Sequence, residues 1–509
     1  MPSEGTMPSH PAVPCAIDEA SIASLHEAIL SGRTTCIAIV DAYLARIAAY
    51  DRNGPALATI LAVNPQAREI AARLDAQFAK TGELTGPLHG IPVAVKDNYN
   101  TTDMPTSGGN VLFKDVVPPI ESTVTRKLRE AGAIILAKTN MHEWALAGIT
   151  ISSLGGQTKN PYDLTRTPGG SSGGTGAAVA ANFAAVGLAT DTMNSIRSPA
   201  SANSLVGFRS TRGLVSRAGV IPVSHTQDVA GTITRSVEDA AIMLDVMAGF
   251  DPDDPVTARS INHIPHSFTD HLDADGLRGV RIGVLTNFFG KEEIHAEVNA
   301  VMAGARDAFR RAGASIIEID DPALDSDAIL RDCDVQKWEF KELFNGYLKS
   351  LGGRAPVASL RELIASGHYH KPLEDFLMAA DAVETPENEP EYLARLARIE
   401  QLRERVLLLM ATHNLDAMAF PLQKRLVHKI GDPHQSERTG ILAGVTGFPA
   451  VTVPAGFSAS DTDAPLGVPV GLDILARPFD DARLIRIAYA FEQATKVRKP
   501  PSSTPPFRS

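Results

Sequence analysis

Two serine-bearing segments and one lysine carry residue types that could cleave a carbonyl compound. The glycine-rich segment GGSSGGTG contains Ser171 and Ser172, and the polar segment ATDTMNSIRSPAS contains Ser195. A serine hydroxyl is a weak nucleophile unless a base takes its proton as it attacks. Lys96 follows the apolar run IPVAV, and burial at the end of such a strand lowers a lysine pKa towards that of a base. A buried ion pair between Lys96 and a carboxylate is an equally good interpretation of this position.

The context of GGSSGGTG disfavours three other chemistries. A P-loop needs a lysine after the glycines, and a dinucleotide-binding turn needs a different glycine spacing. Gly169 to Gly173 formally match the GxSxG nucleophile elbow, but the preceding NPYDLTRTP predicts a loop where that motif needs a strand. A Ser-His-Asp triad also needs a histidine in a suitable setting, and the later candidates lie mostly in polar stretches: His225, His368, His370, His413, His428 and His434.

The segment that contains Ser195 follows the apolar run AAVGLA. It is therefore predicted to be a turn at the end of a strand, where backbone N–H groups can face a ligand. Taken by itself, the segment favours an ordinary polar turn.

The elements that must position these residues alternate between helix and strand. Apolar residues at helical spacing predict two helices within 18–50, separated by Gly32, and a third over 65–80. Strands at 91–95 and 132–137, the second followed by Lys138, flank a helix at 122–131. This alternation predicts a mixed or parallel sheet covered by helices.

The remainder of the chain repeats that texture around a mainly helical stretch. Residues 322–410 are mostly helical and carry no chemical motif. The other predicted elements are helices at 236–247, 292–312 and 481–494, and strands at 279–285, 315–319, 417–421, 446–454 and 468–475. The prediction is one domain over 17–509 after a flexible tail at 1–16. It has a catalytic core at 80–260, a variable and mostly helical insertion at 265–410 that shapes the substrate pocket, and a return to the core at 411–495.

Composition excludes several classes of protein. A chain of 509 residues with 44% hydrophobic and 21% charged residues is typical of a globular protein. The net charge of -11 and the lack of a basic stripe argue against a nucleic-acid partner. Three scattered cysteines form neither a disulfide framework nor a metal motif and favour a cytoplasmic location. Neither a signal peptide nor a membrane span is expected.

Three motifs together resemble the amidase signature family of Ser-Ser-Lys hydrolases: GPLHGIPVAVKDN, PGGSSGG and TDTMNSIRSPA, in that order. The two serines lie 195 - 171 = 24 residues apart, which is the family's spacing. The resemblance implies an α/β fold in which helices cover both faces of a large mixed, twisted sheet with a helical insertion. It also implies that Ser195 is the nucleophile, Ser171 the bridging serine on a cis peptide, and Lys96 the base.

The resemblance assigns the remaining site residues, and it implies neither a metal nor an organic cofactor. The expected oxyanion hole consists of the backbone N–H groups of Thr192, Met193, Asn194 and Ser195. The supporting residues are Asp191, Arg197, Gly170 and Ser172. The family usually has two glycines where this chain has Met193 and Asn194, and we expect these two side chains to narrow or line the substrate pocket.

The expected activity is hydrolysis of a small, fairly apolar or aryl amide through a Ser195 acyl-enzyme. Three alternatives stay open: a carbamate or ester hydrolase of the same mechanism, the A-type subunit of a tRNA-dependent amidotransferase, and a catalytically silent binding protein. The expected partner is a small-molecule amide or carbamate, with neither nucleic acid nor membrane. The expected assembly is a monomer or a homodimer.

Overall fold

A large mixed β-sheet forms the centre of the protein. The computed structural model describes residues 17–432 and 436–507, so the tail expected at 1–16 lies outside the described residues. The strands in the described part are Ile60–Val63 (β1), Pro92–Lys96 (β2), Ile134–Thr139 (β3), Ile151–Ser152 (β4), Gly156–Gln157 (β5), Val186–Asp191 (β6), Val206–Arg209 (β7), Val229–Thr234 (β8), Arg281–Leu285 (β9), Ser315–Ile319 (β10), Ala417–Pro421 (β11), Ala450–Phe457 (β12) and Pro469–Leu475 (β13).

Eleven strands of the described chain pair in the order β1-β3-β2-β6-β8-β7-β12-β13-β11-β9-β10, while β4 and β5 form a separate hairpin. Strands β3, β2 and β6 run parallel to one another at one side, and β10, β9 and β11 do so at the other. The strands between them are antiparallel. The mixed sheet confirms the expected α/β fold class.

Helices flank this sheet. They are Ile22–Leu30 (α1), Cys36–Tyr50 (α2), Ala67–Thr81 (α3), Thr123–Glu130 (α4), Gly173–Ala180 (α5), Arg197–Ala202 (α6), Val237–Met247 (α7), Ala296–Arg311 (α8), Ser326–Cys333 (α9), Gln336–Ser350 (α10), Leu360–Ser366 (α11), Glu374–Asp381 (α12), Pro390–Thr412 (α13), Ile441–Thr446 (α14) and Asp481–Thr495 (α15). Side-chain oxygens at Thr35, Ser122 and Ser236 accept backbone N–H groups at the starts of α2, α4 and α7, so these helices begin where the sequence places N-capping residues.

Helices α9 to α13 form the helical segment, residues 326–412. The two strands that precede it, β9 and β10, lie at the edge of the main sheet. The chain therefore leaves the sheet after β10, forms the helical segment, and returns to the sheet at β11.

One strand begins later than predicted. The strand expected over 446–454 begins at Ala450 and extends to Phe457, because α14 occupies the residues up to Thr446. Gly447 ends that helix with a left-handed backbone at φ 72°, a conformation that glycine adopts without steric cost.

Candidate active site

Lys96 ends β2, between the parallel strands β3 and β6. Its side chain is completely buried. The ammonium nitrogen donates hydrogen bonds to Ser171 Oγ at 2.8 Å and to Thr190 Oγ1 at 2.8 Å. The carbonyl oxygen of Thr190 is a more distant acceptor at 3.4 Å.

Burial lowers the pKa of Lys96 to about 7, and the charges of Asp191 and Asp228 act in the opposite direction. Within residues 17–432 and 436–507, no carboxylate lies within 4.0 Å of the Lys96 nitrogen. The ion-pair interpretation of Lys96 is therefore wrong. A substantial fraction of this lysine is neutral near pH 7 and is able to accept a proton.

Ser171 is held by a tightly packed glycine turn that precedes α5. The Gly170–Ser171 peptide bond is cis, as the resemblance implies. A Cβ on Gly170 would lie 2.1 Å from the carbonyl oxygen of Ile149, so only glycine fits there. The Ser171 carbonyl accepts a hydrogen bond from the backbone N–H of His142 at 2.9 Å. These contacts aim the Ser171 hydroxyl at Lys96.

The loop that contains Ser195 joins the end of β6 to α6. The backbone N–H of Ser172 donates to the Ser195 carbonyl at 3.3 Å, which links this loop to the glycine turn. Ser172 Oγ donates to the Thr190 carbonyl at 3.2 Å and adds a second link. Ser195 Oγ has no hydrogen-bond partner among the described residues. The structure therefore forms the Lys96–Ser171 link of the expected relay but not the Ser171–Ser195 link, which catalytic groups often form only with substrate bound.

Four consecutive backbone N–H groups in this loop are unused. Those of residues 192–195 donate to no acceptor in the part of the chain that the structure describes, and the next N–H, of Ile196, donates to Asp191 Oδ2 at 3.2 Å. Free N–H groups beside a serine can stabilise an oxyanion. Neither Met193 nor Asn194 has a positive φ, so the loop that replaces the family's two glycines has an ordinary backbone conformation.

The Met193 side chain does not line the cavity beside Thr190, contrary to the expectation from the sequence. It packs in an apolar cluster with Phe288 and with Ile441 of α14. Helix α14 contacts the loop directly, because a Cβ on Gly444 would lie 2.5 Å from Met193 Cα. The Asn194 side chain is also buried, and neither of its polar atoms has a hydrogen-bond partner among the described residues. Met193 thus belongs to the support behind the loop.

Buried ion pairs brace the loop from below. Asp191 accepts hydrogen bonds from Arg197 at 3.2 Å and from Arg209 at 2.7 Å, and Arg197 also contacts Asp473 of β13 at 2.6 Å. Arg197 in addition donates to the Met193 carbonyl at 2.7 Å. Burial raises the pKa of Asp191, but the two arginine charges outweigh that effect and hold it below its usual range. This geometry fits the bracing role of Asp191 and Arg197; Arg209 and Asp473 carried no recognisable sequence signal.

A cavity of about 160 Å³ opens beside Thr190 and Thr192. Its apolar lining comes from β8, from the turn that precedes it and from α10: Val220, Ile221, Pro222, Val223, Val229, Ala230 and Leu343. Two of its charged residues, Arg217 and Asp228, are bound by other groups of the protein. Arg217 pairs with Asp254 at 2.8 Å, and Asp228 accepts hydrogen bonds from Thr192 Oγ1 at 2.7 Å and from the N–H groups of Val223 and Ser224.

The cavity and Thr190 were not anticipated from the sequence. Thr190 directly precedes Asp191 at the end of β6, and this place next to a motif residue was the available signal. Its contact with Lys96 depends on the pairing of β2 with β6. Asp228 lies in the polar stretch before β8, and only the fold brings it to the loop that contains Ser195.

Metal-binding clusters and membrane-spanning helices are both absent from the described residues. No group of three or more His, Cys, Asp or Glu side chains in 17–432 and 436–507 has the arrangement of a metal site. No helix in the same part of the chain is long and apolar enough to cross a membrane.

Residues 38–485 match the family model for amidases. The peptide amidase of Stenotrophomonas maltophilia is 35% identical, with a TM-score of 0.85 over 96% of this chain and 99% of the other. The A-type subunit of the Rhodopirellula baltica glutamyl-tRNA(Gln) amidotransferase is 32% identical over 93% of this chain and 96% of its own. An Arabidopsis thaliana protein named "Probable amidase" is 34% identical over 95% and 92%. The chain therefore belongs to the amidase family and is an amide-hydrolysing enzyme.

Proposed function

We propose that this enzyme cleaves small, fairly apolar or aryl amides through an acyl-enzyme on Ser195. The observation that carries the proposal is the 2.8 Å hydrogen bond between Lys96 and Ser171, made by a buried lysine with a pKa lowered to about 7. This pair is a base next to a hydroxyl that can relay a proton.

These residues can carry out the reaction in the following proton transfers and bond changes. Neutral Lys96 takes the Ser171 proton as Ser171 takes the Ser195 proton, and Ser195 Oγ bonds to the amide carbon. The free N–H groups of residues 192–195 stabilise the negative charge on the carbonyl oxygen. The proton then returns through Ser171 to the leaving nitrogen as the C–N bond breaks. Water hydrolyses the acyl-enzyme by the same relay.

The cavity supports the substrate class. Its lining is mainly aliphatic, and Arg217 and Asp228 direct their charges at protein partners. A neutral apolar group gains free energy on entering such a cavity, whereas an anionic group would lose its hydration beside the carboxylates of Asp228, Asp253 and Asp254. Carbamates and esters present a similar carbonyl to Ser195 and remain the alternative substrates.

A second candidate is the A-type component of an amidotransferase, which would release ammonia from glutamine for a partner. The observation in its favour is the 32% identity over 93% of the chain to the Rhodopirellula baltica protein. Co-purification with partner proteins and a preference for glutamine would establish it over the free-standing amidase.

The deciding experiment assays the intact protein and Ser195→Ala on aliphatic amides, aryl anilides, carbamates and glutamine. We expect turnover of apolar amides that falls by about 10⁴- to 10⁶-fold in Ser195→Ala. Ser31→Ala, at an exposed position after α1, is the matched control and should retain full activity. Turnover that survives in Ser195→Ala refutes the nucleophile, and the absence of turnover on every compound favours a silent binding protein.

A further inference from the structure

One face of α10 points from the helical segment into the catalytic core. Glu339, Leu343 and Tyr347 are spaced four residues apart on this helix, so their side chains lie along one face. Each of them contacts a part of the molecule that borders the cavity beside Thr190.

Glu339 anchors the first turn of this face. Its buried carboxylate accepts hydrogen bonds from the hydroxyls of Ser224 and Thr226 and, at 3.2 Å, from the backbone N–H of Thr226. The Tyr392 hydroxyl of α13 donates to the same carboxylate at 2.9 Å. Because Ser224 lines the cavity, Glu339 fixes α10 against one side of the cavity wall.

Tyr347 anchors the same face two turns later. Its hydroxyl donates to Asn100 Oδ1 at 2.9 Å, and both residues are buried. Asn100 follows closely after Lys96 and Asn98, and Asn98 also lines the cavity. The backbone of Asn100 bonds to Gly219 in turn. This second anchor therefore ties α10 to the segment that contains the base.

Leu343 lies between the two anchors, is only partly buried and lines the cavity. With the helix held on both sides of it by buried polar contacts, Leu343 cannot retreat when a larger group enters. The volume of this side chain then limits the space that is available to a substrate.

We propose that Leu343 sets the size of the substrate group that this enzyme accepts, and that Glu339 and Tyr347 are positioning residues that hold it in place. This inference rests on the proposed function, in which the cavity receives the apolar part of the amide. It assigns to the helical segment the wall that selects substrates, whereas the core supplies the reacting groups.

The test measures kcat and KM for a homologous series of straight-chain primary amides with the wild type and Leu343→Ala. One methylene in an apolar pocket changes specificity by about 10-fold or more, so removal of the isobutyl group should shift the optimum to longer chains, with at least about 10-fold gains for these relative to the wild-type optimum. Leu408→Ala, at an exposed leucine of α13, is the matched control and should leave the optimum unchanged.

Tyr347→Phe tests the positioning role, because it removes only the bond to Asn100. We expect KM to rise for the preferred amide and the discrimination between chain lengths to flatten, with kcat within about threefold of the wild-type value. Reduced thermal stability with unchanged discrimination would show that Tyr347 has only a structural role and would overturn this part of the proposal.

A binding measurement tests the role of Leu343 independently of the proposed hydrolysis. Calorimetry with the same amides and Ser195→Ala, with and without Leu343→Ala, reports the size preference of the cavity without turnover. A shifted binding preference supports the role of Leu343 whatever the assay shows. An unchanged preference overturns it even if Ser195-dependent hydrolysis is established.

Discussion

Two buried lysines lie in the last two positions of neighbouring parallel strands of the same sheet, and they have different surroundings. Lys96 is the last residue of β2, and Lys138 is the residue of β3 that pairs with Val95. Both side chains are completely buried. In sequence each follows a short apolar run, so the local pattern does not distinguish them.

Their hydrogen-bond acceptors distinguish them. Lys138 contacts the carboxylate of Asp97 at 3.0 Å, the carbonyls of Tyr99 and Pro105 at 2.9 and 3.0 Å, and Thr106 Oγ1 at 2.8 Å. Lys96 donates instead to two hydroxyl oxygens and to a more distant carbonyl oxygen. Burial lowers the pKa of Lys138 as well, but the charge of Asp97 opposes that effect at contact distance. Under the proposed function, Lys96 is the base because it is buried without a contacting carboxylate. Lys138 is buried against the Asp97 carboxylate and is a structural cation.

The largest expected effect is on catalysis. Lys96→Met removes the base but keeps an unbranched side chain of similar length, and we expect kcat/KM to fall by about 10⁴-fold or more. Because no ion pair is broken, the cooperative unfolding transition should persist. Activity assays and urea denaturation of the same preparation check both statements. Activity within about tenfold of the wild type would show that Lys96 is not the base.

Lys138→Met should have the opposite profile. It leaves the Asp97 carboxylate buried without its cation, and the loss of one partner from a buried pair costs about 3–5 kcal/mol. Urea denaturation measures this loss of unfolding free energy, and the protein that remains folded should retain most of its kcat. A stable Lys138→Met enzyme without activity would invert the comparison.

The pH dependence of catalysis tests the lowered pKa itself. The active form of Lys96 is neutral and its pKa is about 7, so kcat/KM should rise about tenfold per pH unit below pH 7 and level off above it. Lys138→Met should keep this limb of the profile, because Lys138 does not exchange a proton with the reacting atoms. A profile that is flat from pH 5 to 8 would contradict the assignment.

The sequence predicted Lys96 but could not predict the partner of Lys138. Asp97 directly follows Lys96 in the chain, yet its carboxylate bonds to Lys138. Successive side chains in a strand point to opposite faces of the sheet. The side chains of Lys96 and Asp97 are therefore directed apart because the two residues are adjacent in the sequence. Which lysine receives the carboxylate depends on how β2 and β3 pair, and this is a property of the sheet.

Strands β7 and β8 were not predicted. Their sequences are VGFR and VAGTIT, so glycine, arginine and threonine interrupt the continuous apolar run that identifies a buried strand such as β2. Helices with one exposed face, such as α3 and α8, were predicted close to their observed bounds. In the site, motif resemblance supplied the two serines and the lysine of the proposed relay, whereas Thr190, Arg209 and Asp228 are brought there by strand pairing.

The smallest expected effect comes from Thr190, whose hydroxyl is the other close acceptor of Lys96. Thr190→Val keeps the shape of the side chain and removes the oxygen that accepts at 2.8 Å. A hydroxyl that accepts from an ammonium favours the charged form, so its loss should lower the Lys96 pKa further. We expect the acidic limb of the kcat/KM profile to move to lower pH by up to about one unit. Thr165→Val, which loses a bond from an exposed hydroxyl to Asp163 instead, is the control and should leave the limb near pH 7. A limb that moves to higher pH in Thr190→Val would mean that something other than hydroxyl contacts tunes this lysine.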